Sequence, residues 1–396
     1  MKHCIACGHD LPEQVLFTLN QAPASAQNIP DQETVDADQG MDLPLYQCSH
    51  CGLVQFACEP VSYYRDVIRA GGYSTTMTEL RRKQYRHLIE NWHLERKKFL
   101  EVGCGRGEFL NVLTEFPVQV YGMEHKKELA EEAVKSGLHV WQEFPETAEQ
   151  KFENGPFDVF LSFNFLEHQP EPGVMLQAIY NNLTEDGMGL VTVPALEYIL
   201  EKGSYYELIR DHLAYYSFDT LRNLLEQHGF QVLEEEMINR DTISMVVKKK
   251  PSWDFSKKDE YREENQISVS VEPLTEGRRI VLDEISRLLE RLHQEDKTLA
   301  LWGASHQGFT LAATTALGTR TQYIVDSAPF KQGRFAPASH LPIVAPDEFF
   351  ENPTDVVLIA APGYTEEIAG IIRKHLGSEI EICVIRTNRI EYFNAD

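Results

Sequence analysis

The sequence predicts an α/β protein in which a small cysteine-bearing N-terminal module precedes two successive parallel α/β domains. Three observations predict it. Two C-x2-C pairs stand within the first 51 residues. A buried strand, a glycine turn and a helix begin near residue 98 and open a series of alternating strands and helices. The alternation restarts near residue 299, after a polar, charged stretch. Such alternation builds a parallel sheet with helices on its faces. At 396 residues the chain is too long for one core, and its boundaries are expected at 1–75, 76–250 and 251–396.

Composition narrows the function before any motif does. Apolar residues make up 42% of the chain and charged residues 25%, the balance of a soluble globular protein. No apolar run reaches the ~18 residues of a membrane helix, and the start, MKHCIACGHD, does not read as a signal peptide. The protein is expected in the cytoplasm and off the membrane. A net charge of -24 opposes broad contact with nucleic acid, whose phosphates demand Lys and Arg. It leaves room for a small nucleotide, since a few amides and one or two cations hold a diphosphate locally.

The N-terminal module rests on Cys4, Cys7, Cys48 and Cys51. Each pair is followed by a glycine, Gly8 or Gly52, which lets the backbone curl around a thiolate. Four thiolates suit tetrahedral zinc with a closed, structural shell. The polar insert between the pairs lacks a core of its own, so metal is expected to supply much of the module's folding energy.

In the middle domain a helix, TELRRKQYRHLIENW, leads into KKFLEVGCGRGEFLNVL. Phe99, Leu100 and Val102 form a buried strand, and Glu101 precedes Gly103, Gly105 and Gly107. Those glycines let backbone approach a ligand at a helix start. A dinucleotide loop would read G-x-G-x-x-G instead. The next strand, QVYGMEH, ends in Glu124, suited to accept hydrogen bonds from two ribose hydroxyls. Asn164 and His168 follow the strand FDVFLSF, and FQVLEEEMI with DTISMVVKKK close the domain as a pair of strands. Cys104, inside the loop, reads as a small packing residue.

This order resembles the class I S-adenosylmethionine-dependent methyltransferases, a Rossmann-like fold, over residues of about 80 to 250. The resemblance implies S-adenosylmethionine as cofactor, with Glu101, Gly103, Gly105, Gly107, Glu124 and Asn164 around it.

The C-terminal third follows the linker-like KKKPSWDFSKKDEYREENQ. A helix, RRIVLDEISRLLERLHQ, precedes TLALWGASHQGFTLAATTAL, read as strand, glycine turn and helix. DVVLIAAPG and EICVIR add buried strands, implying a second Rossmann-like parallel domain. The turn between Gly303 and Gly308 is open to two readings, a phosphate cradle or a packing turn.

Taken in this order, the three parts resemble the sugar-nucleotide C-methyltransferases, which methylate carbon 3 of thymidine-diphosphate-linked 4-keto-6-deoxysugars. WGASHQG and VDSAPFKQGRFAPASHLPIVAP carry the resemblance in the C-terminal domain, with His306 where that family commonly has Lys and Ala338 where it has Gly. Its Y-H-E-H run falls on Ile209, Arg210, Asp211 and His212, so the family tyrosine is absent. The resemblance implies His212 as base, Asp211 as its neighbouring carboxylate, and roles for His168 and Tyr73. Methylating carbon requires an enolate-like nucleophile, and an imidazole titrating near ~6.5 can take the α-proton at neutral pH. In an extended segment neighbouring side chains point to opposite sides, so Asp211 ranks below His212, and Tyr215 or Tyr216 stand next in line as base. The expected partner is a small nucleotide sugar, with the oligomeric state left open. Alternatives from other classes are an O-methyltransferase, an RNA or protein methyltransferase with a zinc recognition module, and a non-enzymatic scaffold.

Overall fold

The computed structural model describes residues 2–66, 75–256, 268–361 and 363–393. Tyr73 and much of the linker-like stretch lie outside the described residues. The chain divides into two compact units that do not follow chain order. The first comprises residues 1–12, 47–196 and 213–269, and the second residues 13–46, 197–212 and 270–396. Among the described residues, no helix is long and apolar enough to cross a membrane.

Strands are numbered along the chain. β1 (Phe17–Ala22) and β2 (Met41–Gln47) pair antiparallel, with Leu19 opposite Leu43. β3 (Val54–Phe56) follows the second cysteine pair. The first unit then builds a seven-stranded sheet from β4 (Lys98–Val102), β5 (Gln119–Glu124), β6 (His139–Gln142), β7 (Phe157–Phe163) and β8 (Leu183–Pro194). After the short β9 (Ala214–Tyr215) it is completed by β10 (Phe230–Ile238) and β11 (Thr242–Lys249). The order is β10-β11-β8-β7-β4-β5-β6, with β11 antiparallel to both neighbours and β8, β7, β4, β5 and β6 paired parallel. The closing pair read from the sequence is therefore the edge hairpin of this sheet.

Burial explains the strand composition. Phe99, Leu100 and Val102 are buried, as parallel strands covered on both faces must be. The helix Thr75–Trp92 covers one face through Tyr85, Leu88 and Ile89, which pack with Phe109, Leu113, Leu161 and Phe163. Ser217 starts the helix Phe218–Gln227 with a reciprocal cap: its hydroxyl accepts from Thr220 N–H at 3.2 Å, and its own N–H donates to the Thr220 hydroxyl at 2.8 Å. That cap pins the chain soon after residue 212.

The second unit carries a six-stranded sheet: β12 (Leu299–Trp302), β13 (Ile324–Val325), β14 (Ile343–Val344), β15 (Val356–Ile359), β16 (Glu381–Arg386) and β17 (Arg389–Tyr392). Its order is β14-β13-β12-β15-β16-β17, parallel except for the last strand. The segment between the cysteine pairs packs on this unit. Arg278 donates to Thr18 O and Asn20 Oδ1 at 3.3 Å, Arg334 to Ile29 O at 2.9 Å, and Ala338 N–H to Asp38 Oδ2 at 2.5 Å. The insert thus obtains its packing from the C-terminal layer, a partner some 250–300 residues away in sequence.

The Gly303–Gly308 turn is a packing turn. A Cβ on Gly308 would lie 2.1 Å from the Gly303 carbonyl oxygen, so the helix His306–Thr314 can start this close only at glycine. Asp326 already accepts from Ala304 N–H at 2.9 Å, and Ser305 accepts from Gly308 N–H at 3.3 Å. Two amides that a phosphate would need are taken by side-chain oxygens.

Candidate functional site

The carboxyl edge of the first sheet gathers the residues that the sequence assigns to the cofactor. Gly103, Gly105 and Gly107 hold φ of 71°, 60° and 80°, a left-handed run that residues with a Cβ seldom adopt. Gly107 also packs closely, since a Cβ there would sit 2.3 Å from Leu138. Glu124 is completely buried at the end of β5. One of its carboxylate oxygens accepts from Gly105 N–H at 2.9 Å and the other from Lys126 N–H at 2.8 Å. The glycine turn and this carboxylate fit a nucleoside cofactor whose ribose hydroxyls seek an acceptor. Cys104 is buried among Leu110, Ala130, Ala133 and Val140, as a packing residue should be. Glu101 is buried on β4 just before the turn, and Asn164 is exposed at φ 48° after β7, its Oδ1 accepting from the Thr192 hydroxyl.

Sequence reading missed an aromatic group on the same edge. Phe144 lies between Tyr64, His125 and Phe165, with ring centroids 6.0 to 6.1 Å away and near-perpendicular planes. Asp66 holds the His125 ring at 2.6 Å, and Gln142 donates to the His125 carbonyl at 3.1 Å. The signal was a cluster of rings at three separate strand ends, visible only once the strands are adjacent.

His168 ends a short 3-10 turn, Leu166–His168, after β7. The residue before it, Glu167, is 1% exposed. Its carbonyl accepts from Leu213 N–H at 2.9 Å, and the Leu213 carbonyl accepts from Phe56 N–H at 3.0 Å. Leu213 is covalently bonded to His212, so the residue following the proposed base is tied to the residue preceding His168.

The stretch 209–212 is a turn, not the extended segment expected from sequence: His212 N–H donates to Ile209 O at 3.1 Å. Ser217 and β9 claim the residues after it, which leaves this short loop to reverse direction. Asp211 is 3% exposed and accepts from Ala26 N–H at 2.9 Å within the second unit, so its carboxylate braces the loop. Tyr215 and Tyr216 are both buried, and Tyr216 is pushed well above an ordinary phenol by burial and by Glu167, which makes it a poor base.

Within the second unit, Ile209, Arg210, His306 and Phe309 line a small cavity. Positions 209 and 306, where the chain departs from the family pattern, therefore share one wall. Nε and Nη1 of Arg210 are buried without a hydrogen-bond partner among the described residues. His306 Nε2 lies 3.2 Å from Glu207, which also accepts from Gln307.

The four cysteines converge within the first unit. Cys4 Sγ is 3.4 Å from Cys51 Sγ and Cys7 Sγ is 3.6 Å from Cys48 Sγ, with all four sulfurs within 4.8 Å of one another. Tetrahedral zinc with Zn–S near ~2.3 Å requires edges of about 3.8 Å. Gly8 and Gly52 take φ of 75° and 74° and donate to the Cys4 and Cys48 carbonyls, the curl expected after each pair. The donor set fits zinc.

Comparison with known proteins bears on the chemistry. The family model for a methyltransferase domain matches residues 77–235, and that for a C-methyltransferase C-terminal domain matches residues 233–384. The C-methyltransferase NovU of Streptomyces niveus is 24% identical, over 92% of this chain and 90% of that protein. Among solved structures, a magnesium protoporphyrin IX methyltransferase from Synechocystis is 15% identical, covering 44% of this chain and 83% of its own, with a TM-score of 0.35. A SAM-dependent methyltransferase from Aquifex aeolicus is 17% identical, covering 43% and 92%, with a TM-score of 0.34.

Three outcomes are expected from these geometries. Metal analysis should find about one zinc per chain, and Cys48→Ser should release it and lower the melting temperature. Cofactor affinity should survive within a few-fold, because the knuckles do not touch the glycine turn; a folded, active, metal-free protein rejects the assignment. Glu124→Ala should weaken cofactor binding by about 1.5–3 kcal/mol, on the order of 10–150-fold in calorimetry. An unchanged dissociation constant removes Glu124 from the site.

The third outcome concerns Glu167, whose carboxyl is pushed up from 4.5 to about 8 by burial. Between those values the folded protein keeps a proton that the unfolded chain has released. Rising pH therefore destabilises the fold across that window, by at most about 1.4 kcal/mol per pH unit. Glu167→Gln has no such proton, so melting curves across the window should show the variant gaining on wild type as pH rises. Parallel curves would mean that the carboxyl is already ionised.

Proposed function

We propose that this chain, which matches a methyltransferase domain and a C-methyltransferase C-terminal domain, uses S-adenosylmethionine to methylate the carbon beside the ketone of a nucleotide-linked 4-keto-deoxysugar. We infer that it does so on a free small molecule in the cytoplasm. The observation that carries the reading is the pair of hydrogen bonds on Leu213, which fasten the chain next to His212 both to Glu167, beside His168, and to β3. A base and an electrophilic neighbour held to one backbone point are what enolate formation needs. The net charge of -24 favours this reading over an RNA substrate.

In this mechanism His212 removes the α-proton and the electrons move into the ketone oxygen. His168, Tyr73 and Arg210 are the donors suited to stabilise that oxyanion; donors aimed at developing charge usually supply the larger share of catalysis. Asp211 holds the base-bearing turn through Ala26 rather than carrying the proton itself. S-adenosylmethionine, held by the glycine turn and Glu124, supplies the electrophilic methyl group. As the new carbon–carbon bond forms the methyl–sulfur bond would break, with the sulfonium leaving as the neutral thioether S-adenosylhomocysteine; the enolate returns to the ketone and His212 gives its proton to solvent. Zinc would be held by Cys4, Cys7, Cys48 and Cys51 and has no part in these steps.

The test is solvent deuterium exchange at the sugar α-carbon without cofactor. Wild type should exchange it, and an O-methyltransferase or a macromolecular methyltransferase should not. His212→Asn should lower turnover by ~10²–10⁴-fold while leaving cofactor affinity within a few-fold. A folded variant that exchanges and methylates at the wild-type rate places the base elsewhere.

A further inference from the structure

Glu167 is a buried carboxyl that the mechanism above leaves without a task. Its side chain is 2% exposed, and Oε2 has no hydrogen-bond partner among the described residues. Oε1 lies 3.9 Å from Nε2 of His168. Tyr216, whose hydroxyl is likewise buried and unpartnered, stands close enough to feel its charge. Ionised, Glu167 would face a desolvated phenol with one oxygen unpartnered, and a buried unpaired charge is costly. Held neutral, it has a proton to donate.

We propose that Glu167 is a positioning residue: as a neutral carboxylic acid it donates its hydrogen bond to Nε2 of His168 and so fixes the imidazole tautomer. With Nε2 accepting, the ring's remaining proton sits on Nδ1. A free neutral imidazole can carry its proton on either nitrogen, and the partner of one nitrogen decides what the other presents. The present 3.9 Å separation is long, as catalytic hydrogen bonds often are before the substrate complex forms. Because the Glu167 carbonyl also holds Leu213, the same residue sets both the tautomer of His168 and the anchorage of the loop bearing His212. The assignment of a donor role to His168 rests on the proposed function; the tautomer itself does not.

The test uses full-length protein with S-adenosylhomocysteine bound and no sugar present. Imidazole ¹⁵N shifts should show His168 protonated at Nδ1 and bare at Nε2 in wild type. Infrared difference spectra against Glu167→Gln should show one protonated carboxylic acid carbonyl in wild type that the variant lacks. Glu167→Leu should abolish the tautomer preference, whereas Glu167→Gln, whose amide still donates, should retain it. In turnover assays Glu167→Leu should lose roughly 10²-fold in kcat with KM within a few-fold, and Glu167→Gln should recover most of it. An ionised Glu167, an Nε2-protonated His168 in wild type, or a Gln variant as inactive as the Leu variant overturns the proposal. So does a Leu variant that loses only thermal stability. Since the spectra need no sugar, failure of the sugar assignment and failure of this inference are separable.

Discussion

Everything proposed about catalysis in this protein depends on the peptide group of Leu213. Its N–H goes to the Glu167 carbonyl and its C=O accepts from Phe56, so one residue joins the turn after β7 to the strand that leaves the second cysteine pair. Both bonds are buried with Leu213 itself at 1% exposure, and either left unmade would strand a backbone group away from water. β9 then pairs with β3, and Ser217 caps the next helix, so the chain is fixed continuously from 213 onward. Between His212 and Leu213 the chain also crosses from the second compact unit to the first.

This arrangement gives the cysteine module a purpose beyond its own folding. Four sulfurs gathered within 4.8 Å order the curl that leads into β3, and β3 supplies the donor for Leu213. A structural metal there would act on catalysis only through backbone, which is why loss of zinc should spare cofactor affinity. The determinants proposed for the cofactor, the glycine turn and Glu124, lie elsewhere.

Glu124 and Glu167, two buried carboxyls of the first unit, show how environment divides one chemistry into two roles. Glu124 receives two backbone N–H groups, so its charge is satisfied in place and remains useful as an acceptor. Glu167 faces a phenol and an imidazole with an oxygen unpartnered, and burial favours its neutral form. Asp211, buried as well, spends its carboxylate on Ala26 N–H and holds a turn. None of these roles is written in the residue type.

The sequence alone determined what depends on near neighbours. The left-handed glycines of E-x-G-x-G-x-G, the Gly8 and Gly52 curls, the acid ending β5 and the closing β10–β11 hairpin all follow from local backbone geometry and strand periodicity. Each was legible because its cause lies within a few residues. Tertiary structure alone decided where partners distant in sequence meet. The segment 13–46 packs on a layer about 250 residues later, and the ring cluster around Phe144 draws from four strands and loops. The turn at 209–212 arose because residues on either side were claimed by other elements, a competition no local propensity records. Gly303 and Gly308 carry the same lesson in reverse: the motif was visible, but only the positions of Asp326 and the Gly303 carbonyl decided that its amides were already taken and its glycines serve close packing.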